Sequence, residues 1–146
     1  MNATTQIKQE QVTRYGAYGI IIQESKLLLT QKKSGPYKGL WGLPGGAIEF
    51  GETPEITLER EIQEETALLA KQIKLLTVMT NYGSYLNDGK EFQVHHIGII
   101  YRVYDFSLLT DIIPEEKKLW VHIQEIIPKE LTPFAKQAWS QKLLEE

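Results

Sequence analysis

The sequence predicts an α/β fold, a mixed sheet sandwiched between helices. Three observations carry that expectation. Runs rich in β-branched and aromatic residues recur along the chain. Only two segments have helical character, one central and one terminal. Gly- and Pro-containing stretches separate the elements. Many strands with two well-spaced helices argue for a sheet with a helix on each face. The length, 146 residues, suits a single domain, 1–146, with its own core.

The elements follow in order. Residues 1–11 read as a frayed start or an edge element. From Val12 to Leu29 the chain reads strand, turn, strand: GAYGIII is β-rich, QESK supplies the turn and LLLT resumes. QKKSGPYKGLWGLPGG is a long loop, and Ala47 to Phe50 forms a short strand. Thr53 then caps a helix whose first position is Pro54, and EITLEREIQEETAL continues it without a breaker. Glu55 suits the positive end of its dipole. Ile73 to Tyr82 is strand-like, YLNDGKE is a turn, and Phe92 to Tyr104 is a long strand. A loop with Pro114 fills 105–118, and LWVHI is a short strand. EIIPKEL is a turn or short helix. Thr132-Pro133 opens a last helix, FAKQAWSQKLLEE. There is no internal repeat or low-complexity tract.

Composition narrows the function classes. The formal net charge of -3 is wrong in sign for general nucleic-acid binding. The Cys count of 0 excludes disulfides, thiolate catalysis and zinc–thiolate sites. No apolar run approaches the ~18 residues of a membrane span. The N-terminus MNATTQIKQEQ has no signal-peptide core, so a cytoplasmic location is expected.

The chemistry concentrates in LPGGAIEFGETPEITLEREIQEETAL, Leu43 to Leu68, where Arg60 is the sole basic residue. On a helix, Leu58, Ile62 and Leu69 share one stripe, with Glu65 beside it and Glu61 and Glu64 next to it on one side. Like charges one turn apart repel by about 0.2–0.5 kcal/mol. Water tolerates that easily; the edge of a core tolerates it poorly unless a cation is supplied. Magnesium, or manganese, takes oxygen ligands in octahedral array and fits clustered carboxylates. An isolated E-x-x-E-E is most simply a solvated acidic face. Here the Gly45-Gly46 turn can bring bare backbone to a ligand, and Glu52 with Arg60 can clamp loop to helix.

These residues resemble the Nudix box. Gly46, Glu52, Arg60-Glu61-Ile62, Glu64-Glu65 and Leu68 stand at the spacing of Gly-x5-Glu-x7-Arg-Glu-apolar-x-Glu-Glu-x-Gly-apolar. One place departs: Ala67 stands where the family has glycine. Alanine there either bears about 1 kcal/mol for a left-handed residue or lets the helix run on. The preceding loop and the later LWVHIQEI and final helix also look like this family.

The resemblance implies an α/β/α sandwich and hydrolysis of a nucleoside diphosphate linked to a further group, with Mg2+ or Mn2+. It implies Glu61, Glu64 and Glu65 as metal ligands, with the Gly45 carbonyl as another. Arg60 and Glu52 become a structural clamp, and Gly46 shapes the loop. Glu64 or Glu65 is the first choice to orient the attacking water. Glu115 or Glu116 in the 105–118 loop is the second, with a plain solvated turn an equal reading of that loop.

Substrate could be read by Tyr37, Lys38 and Tyr85, which sit in Gly-rich or polar loops. Tyr15, Tyr18, Tyr82, Trp41 and Trp120 read first as core or packing residues. Lys32 and Lys33 either meet phosphates or keep the loop soluble. His95 and His96 point to opposite faces of a strand, so one faces the cleft side. His122 has no motif around it. Within the family, adenosine-5′-diphosphoribose hydrolases tend to carry a proline some fifteen residues past the box. Dinucleoside-polyphosphate hydrolases tend to carry a tyrosine some seventeen past it. Here the first place is near Gly83 and no proline lies between Leu68 and Ile113, which counts against that branch; Tyr85 stands at the second place. The substrate expected is a small nucleotide: a nucleoside triphosphate, dinucleoside polyphosphate or nucleotide sugar. No membrane or long nucleic acid is expected as a partner, and a homodimer is left open. The rival classes are a non-catalytic sensor on the same fold and an RNA 5′-end pyrophosphohydrolase.

Overall fold

The structure is a computed structural model and describes residues 10–145. Most of the expected N-terminal element, 1–9, lies outside the described residues; Glu10 and Gln11 begin the first strand. The elements are β1 (Glu10–Gln23), β2 (Lys26–Gln31), β3 (Trp41–Gly42), β4 (Gly45–Ala47), α1 (Pro54–Thr66), β5 (Leu68–Asn87), β6 (Lys90–Leu108), β7 (Lys118–His122) and α2 (Pro133–Ser140). Two short 3-10 turns, Ile123–Glu125 and Pro128–Glu130, precede α2.

The strands run in the order β3-β2-β1-β6-β5, with β4 on β1 and β7 on β2. Among the strands of the described residues only the β1–β6 pairing is parallel and the other pairs are antiparallel, so the sheet is mixed. Side-chain alternation builds a core on each face. From β1, Ala17 and Ile21 join Leu58 and Ile62 of α1, while Ile20 joins Phe134, Ala135 and Ala138 of α2. One helix on each face makes the α/β/α sandwich that the sequence predicts. Among the described residues no helix is long and apolar enough to cross a membrane.

The helix α1 forms as its signals dictate. Thr53 Oγ1 accepts from the Ile56 amide at 3.2 Å, and Pro54 follows at the first helical position. Leu58 and Ile62 are fully buried one turn apart, each contributing roughly 1.5–3 kcal/mol. The third place of the buried stripe differs from expectation. Leu69 belongs to β5, and the buried residues one turn after Ile62 are Glu65 and Thr66.

Ala67 ends the helix in the left-handed conformation, φ 58° and ψ 30°, its amide donating to the Gln63 carbonyl. The chain therefore keeps the left-handed exit and places alanine in it. Ala67→Gly should relieve this strain. We expect a gain of about 1 kcal/mol in urea unfolding, reduced by the extra freedom of an unfolded glycine.

Several boundaries depart from the sequence reading: β3 lies inside the expected long loop, β5 starts at Leu68 ahead of Ile73, and β6 continues to Leu108 into the expected 105–118 loop. β4 is Gly45–Ala47, displaced from 47–50, because antiparallel pairing with Gly16 to Tyr18 fixes it. β5 and β6 run further toward each other than expected. Their turn is only Asp88-Gly89, both with positive φ, and pairing draws Ser84 and Asn87 into the ladder. The last helix stops at Ser140, short of the expected end.

Candidate active site

Gly45 and Gly46 stand where β4 meets both β1 and α1. Gly45 has φ +148°, and a Cβ there would lie 2.1 Å from the Ala17 carbonyl oxygen. A Cβ on Gly46 would lie 2.6 Å from the Glu61 carboxyl carbon. Both positions therefore need glycine: the first for its backbone, the second so that the Glu61 carboxylate can rest against the strand.

The acidic flank of α1 is graded in burial. Glu65 is 7% exposed, and its Oε2 accepts from the Gly45 amide at 3.1 Å. The Glu61 side chain is 18% exposed and the Glu64 side chain 41%. Burial pushes the Glu65 carboxyl up to about 8, with Glu116 and Glu61 adding to the rise and Lys32 opposing it. Burial also raises Glu61, against the pull of Arg60. Glu64 faces an outer depression that it shares with Ile56, Glu59 and Gln63.

Two side-chain cations hold this acidity. Arg60 grips Glu52 through two bonds of 2.8 Å, one from Nε and one from Nη2. Its Nη1 reaches Glu61 at 2.9 Å and Glu64 at 3.4 Å. Glu52 also accepts from Thr57 Oγ1 at 2.9 Å and the Glu49 amide at 3.1 Å. The expected clamp between loop and helix is thus formed. The second cation is Lys32, which the sequence alone offers as a phosphate contact or a solubilising group. Its Nζ lies 3.8 Å from Glu65 and 3.7 Å from Glu116, and donates to Thr30 Oγ1 and the Leu43 carbonyl at 3.1 Å.

The Arg60 bonds hold the Glu52 carboxyl down to about 2. The folded chain then binds that proton more weakly than the unfolded one. The clamp's stabilisation is complete above about pH 4.5 and is lost as pH falls through about 2. Glu52→Gln should flatten the acid limb of stability across this window, as read by urea midpoints between pH 5 and pH 2.

The loop after β6 reaches the site because backbone bonds dock it. The Leu109 amide donates to the Ala67 carbonyl at 2.8 Å, and the Glu115 amide to the Glu64 carbonyl at 3.0 Å. Lys118 Nζ donates to the Thr66 carbonyl at 2.8 Å. Glu116 is thereby turned toward Glu65, while Glu115 is exposed at the outer rim. Glu116 Oε1 is buried and accepts no hydrogen bond.

A cleft of about 260 Å³ opens from Glu65, Glu116 and Lys32 along the other side of the glycines. Its far end is aromatic. Tyr18 Oη and His96 Nε2 are hydrogen-bonded at 2.8 Å. Tyr37 stacks on His96 with ring centres 6.1 Å apart, and Phe134 lies 4.6 Å from the same ring. Burial, aided by Arg14, lowers His96 to about 4, so the imidazole is neutral at pH 7. Burial, then the Glu65 charge, pushes the Tyr18 phenol up.

The structure sorts the residues expected to meet substrate. Tyr37 lines the cleft, and its hydroxyl accepts from Asn81 Nδ2 at 3.1 Å. Lys38 is exposed in the Gly35–Gly39 turn and does not line it; Lys32 points in instead. Tyr85 stacks on Phe92 outside the cleft, and its hydroxyl accepts from Arg14 at 3.2 Å. Phe134 and Arg14 line the cleft without having been singled out in the sequence. They come from α2 and β1, and only the packed fold brings them to β6.

The NUDIX domain model matches residues 12–143, nearly the whole chain. The chain belongs to the Nudix family. An ADP-ribose pyrophosphatase of Methanocaldococcus jannaschii is 37% identical over 103 residues, 65% of this chain and 57% of that protein. A putative 8-oxo-dGTP diphosphatase 3 of Mycobacterium tuberculosis is 31% identical over 137 residues, 86% of this chain and 60% of that protein. The chain spans about three fifths of the length of these two curated relatives. The crystal structure of a MutT Nudix hydrolase from Burkholderia pseudomallei superposes with a TM-score of 0.70 at 26% identity, covering 89% of this chain and 98% of that one.

The donor set suits a hard divalent ion. It consists of carboxylates: Gly46 leaves room for that of Glu61, and Glu116 carries a buried oxygen that accepts no hydrogen bond. Among the described residues no three acidic or imidazole side chains are gathered into a ready-made metal set. Arg60 holds Glu61 and Glu64 on one side, and Lys32 faces Glu65 and Glu116 on the other.

Proposed function

We propose that this Nudix chain is a Mg2+- or Mn2+-dependent hydrolase of the pyrophosphate linkage in a small nucleoside diphosphate derivative. One observation carries the reading. Glu65 of the acidic flank, the diglycine bend and Glu116 line an aromatic-walled cleft, and the Glu61 carboxylate rests against Gly46 of that bend. A phosphate chain fits the acidic mouth only with divalent ions between, and a base fits the aromatic end. Both relatives are named as enzymes acting on the phosphate chain of a nucleotide.

The residues divide the work. Glu61, Glu64, Glu65 and the Gly45 carbonyl would hold the ion. When bound, it draws charge from the non-bridging oxygens and favours the hydroxide form of the attacking water. Glu116, with its open acceptor oxygen, orients that water and takes its proton. Glu65 sets the metal-side wall through its bond from the Gly45 amide. Arg60 and Glu52 position the helix against the loop. Lys32 approaches the phosphates from β2 and offsets their charge.

A panel of nucleoside triphosphates, nucleotide sugars and dinucleotides, with Mg2+ or Mn2+ and with chelator, tests the reading. We expect metal-dependent cleavage of at least one compound, with both phosphorylated products resolved by chromatography. A folded protein that cleaves none of them would overturn it.

A further inference from the structure

Gly16 of β1 and Gly98 of β6 stand opposite each other in the parallel ladder, beneath the aromatic end of the cleft. A Cβ on Gly16 would lie 2.6 Å from the Tyr18 ring, and one on Gly98 would lie 2.5 Å from the Phe134 ring. The two glycines form a bare floor on which both rings rest. Tyr18 lies two positions after Gly16 and His96 two before Gly98, so all four share one face of the sheet. His96 is held among three rings, with centres 5.6 Å away in Tyr18, 4.6 Å in Phe134 and 6.1 Å in Tyr37.

The bond between Tyr18 Oη and His96 Nε2 fixes more than the position of the imidazole. Burial keeps the phenol protonated and the imidazole neutral. Among the described residues the Tyr18 hydroxyl has no second acceptor, so it donates to Nε2. The single imidazole proton then sits on Nδ1. Nδ1 itself makes no hydrogen bond among the described residues. The buried side-chain atoms left without a partner there are Arg102 Nε and Glu116 Oε1, so Nδ1 is not sealed in. His96 lines the cleft, and Nδ1 opens into it.

We propose that His96 is a specificity-determining residue: oriented by Tyr18, its Nδ1–H donates to an in-plane acceptor of the ring that enters the cleft. This rests on the hydrolase reading above and adds what the cleft demands of the base. Stacking alone admits every base, because every base has a π-face. A donor fixed beside the stack does not. It favours a ring nitrogen or carbonyl oxygen at one place. A ring with C–H or N–H at that place leaves the donor unpaired in a water-poor site, which is how hydrogen-bonding sites reject analogues. Tyr18 acts through His96 and is a positioning residue. Without its phenol the proton can move to Nε2, the nitrogen that free histidine favours.

Two measurements test this, and the first needs no substrate. In protein carrying nitrogen-15-labelled histidine, two-bond ring correlations identify the protonated nitrogen. We expect Nδ1–H for His96 in wild type at pH 7, and a shift toward Nε2–H in Tyr18→Phe. The second is calorimetric titration of AMP and GMP, and of forms lacking one acceptor at a time: N1, N3 or N7 of adenine, and N3, N7 or O6 of guanine. In wild type, loss of one acceptor should weaken binding about fivefold or more, and loss of the others less than about twofold. In His96→Phe, which keeps an aromatic ring, that discrimination should vanish; in Tyr18→Phe it should shrink. Nε2–H in wild type overturns the proposal. So does a wild type that shows no discrimination or binds neither nucleotide at millimolar concentration, and so does discrimination that survives in His96→Phe. Each of these leaves the hydrolase reading standing, which fails only when no compound of the panel above is cleaved with metal.

Discussion

Glu65→Gln is expected to lower metal-dependent turnover on the order of 10²–10³-fold, the scale for removing one electrostatic participant from an enclosed site. Glu65 is the acidic residue of α1 that lines the cleft. Its loss removes charge where the phosphates would lie. The fold should not suffer. Burial already opposes the ionised form, and a glutamine oxygen can still accept from the Gly45 amide. We expect a melting temperature within about 3 °C of wild type, or about 1 kcal/mol. Glu64→Gln should cost less, because that carboxylate is 41% exposed and would hold the ion from its outer, solvated side. Wild-type rates in Glu65→Gln, with the fold intact, would remove Glu65 from the chemistry.

The second large effect is on stability. Gly45→Ala puts a methyl group 2.1 Å from the Ala17 carbonyl oxygen and 2.7 Å from Tyr18, at a backbone φ of +148°. Strain and overpacking each cost about 1–3 kcal/mol, so a loss of about 3 kcal/mol and about 10 °C in Tm is expected. The strand β4 can relieve the clash only by moving off β1. It would then carry the Gly45 amide away from Glu65 and Gly46 away from Glu61. Activity should fall with stability, and Mg2+ should not restore it. A Tm within about 1 °C of wild type would show that β4 is not held against β1 as described.

Much of this architecture is legible in the sequence where the determinants are local. Thr53-Pro54 announces the helix, Leu58 and Ile62 set its buried side, and Asp88-Gly89 marks the hairpin. The clamp is legible too, since Glu52 and Arg60 lie eight positions apart in one motif. The cation facing Glu65 is not, because Lys32 arrives from the far end of β2. Its neighbours Lys33 and Lys38 look the same in sequence, yet Lys33 lines the cleft with Lys32 and Lys38 does not. The aromatic end is hidden for a similar reason. Tyr18, Tyr37, His96 and Phe134 belong to separate elements and meet only across the sheet. Among the tyrosines, loop position favoured Tyr85, but packing on Phe92 keeps it outside the cleft. Ala67 shows local propensity yielding to context: the hydrogen bond to Gln63 and the start of β5 hold it left-handed without glycine.

The most direct test is calorimetric titration of Mn2+ into the wild-type protein and into Glu61→Gln/Glu65→Gln, each with and without an unhydrolysed nucleotide. The account predicts saturable uptake by wild type, strengthened by nucleotide and abolished in the double variant. Uptake that is absent in wild type under both conditions, or unchanged in the double variant, would contradict it.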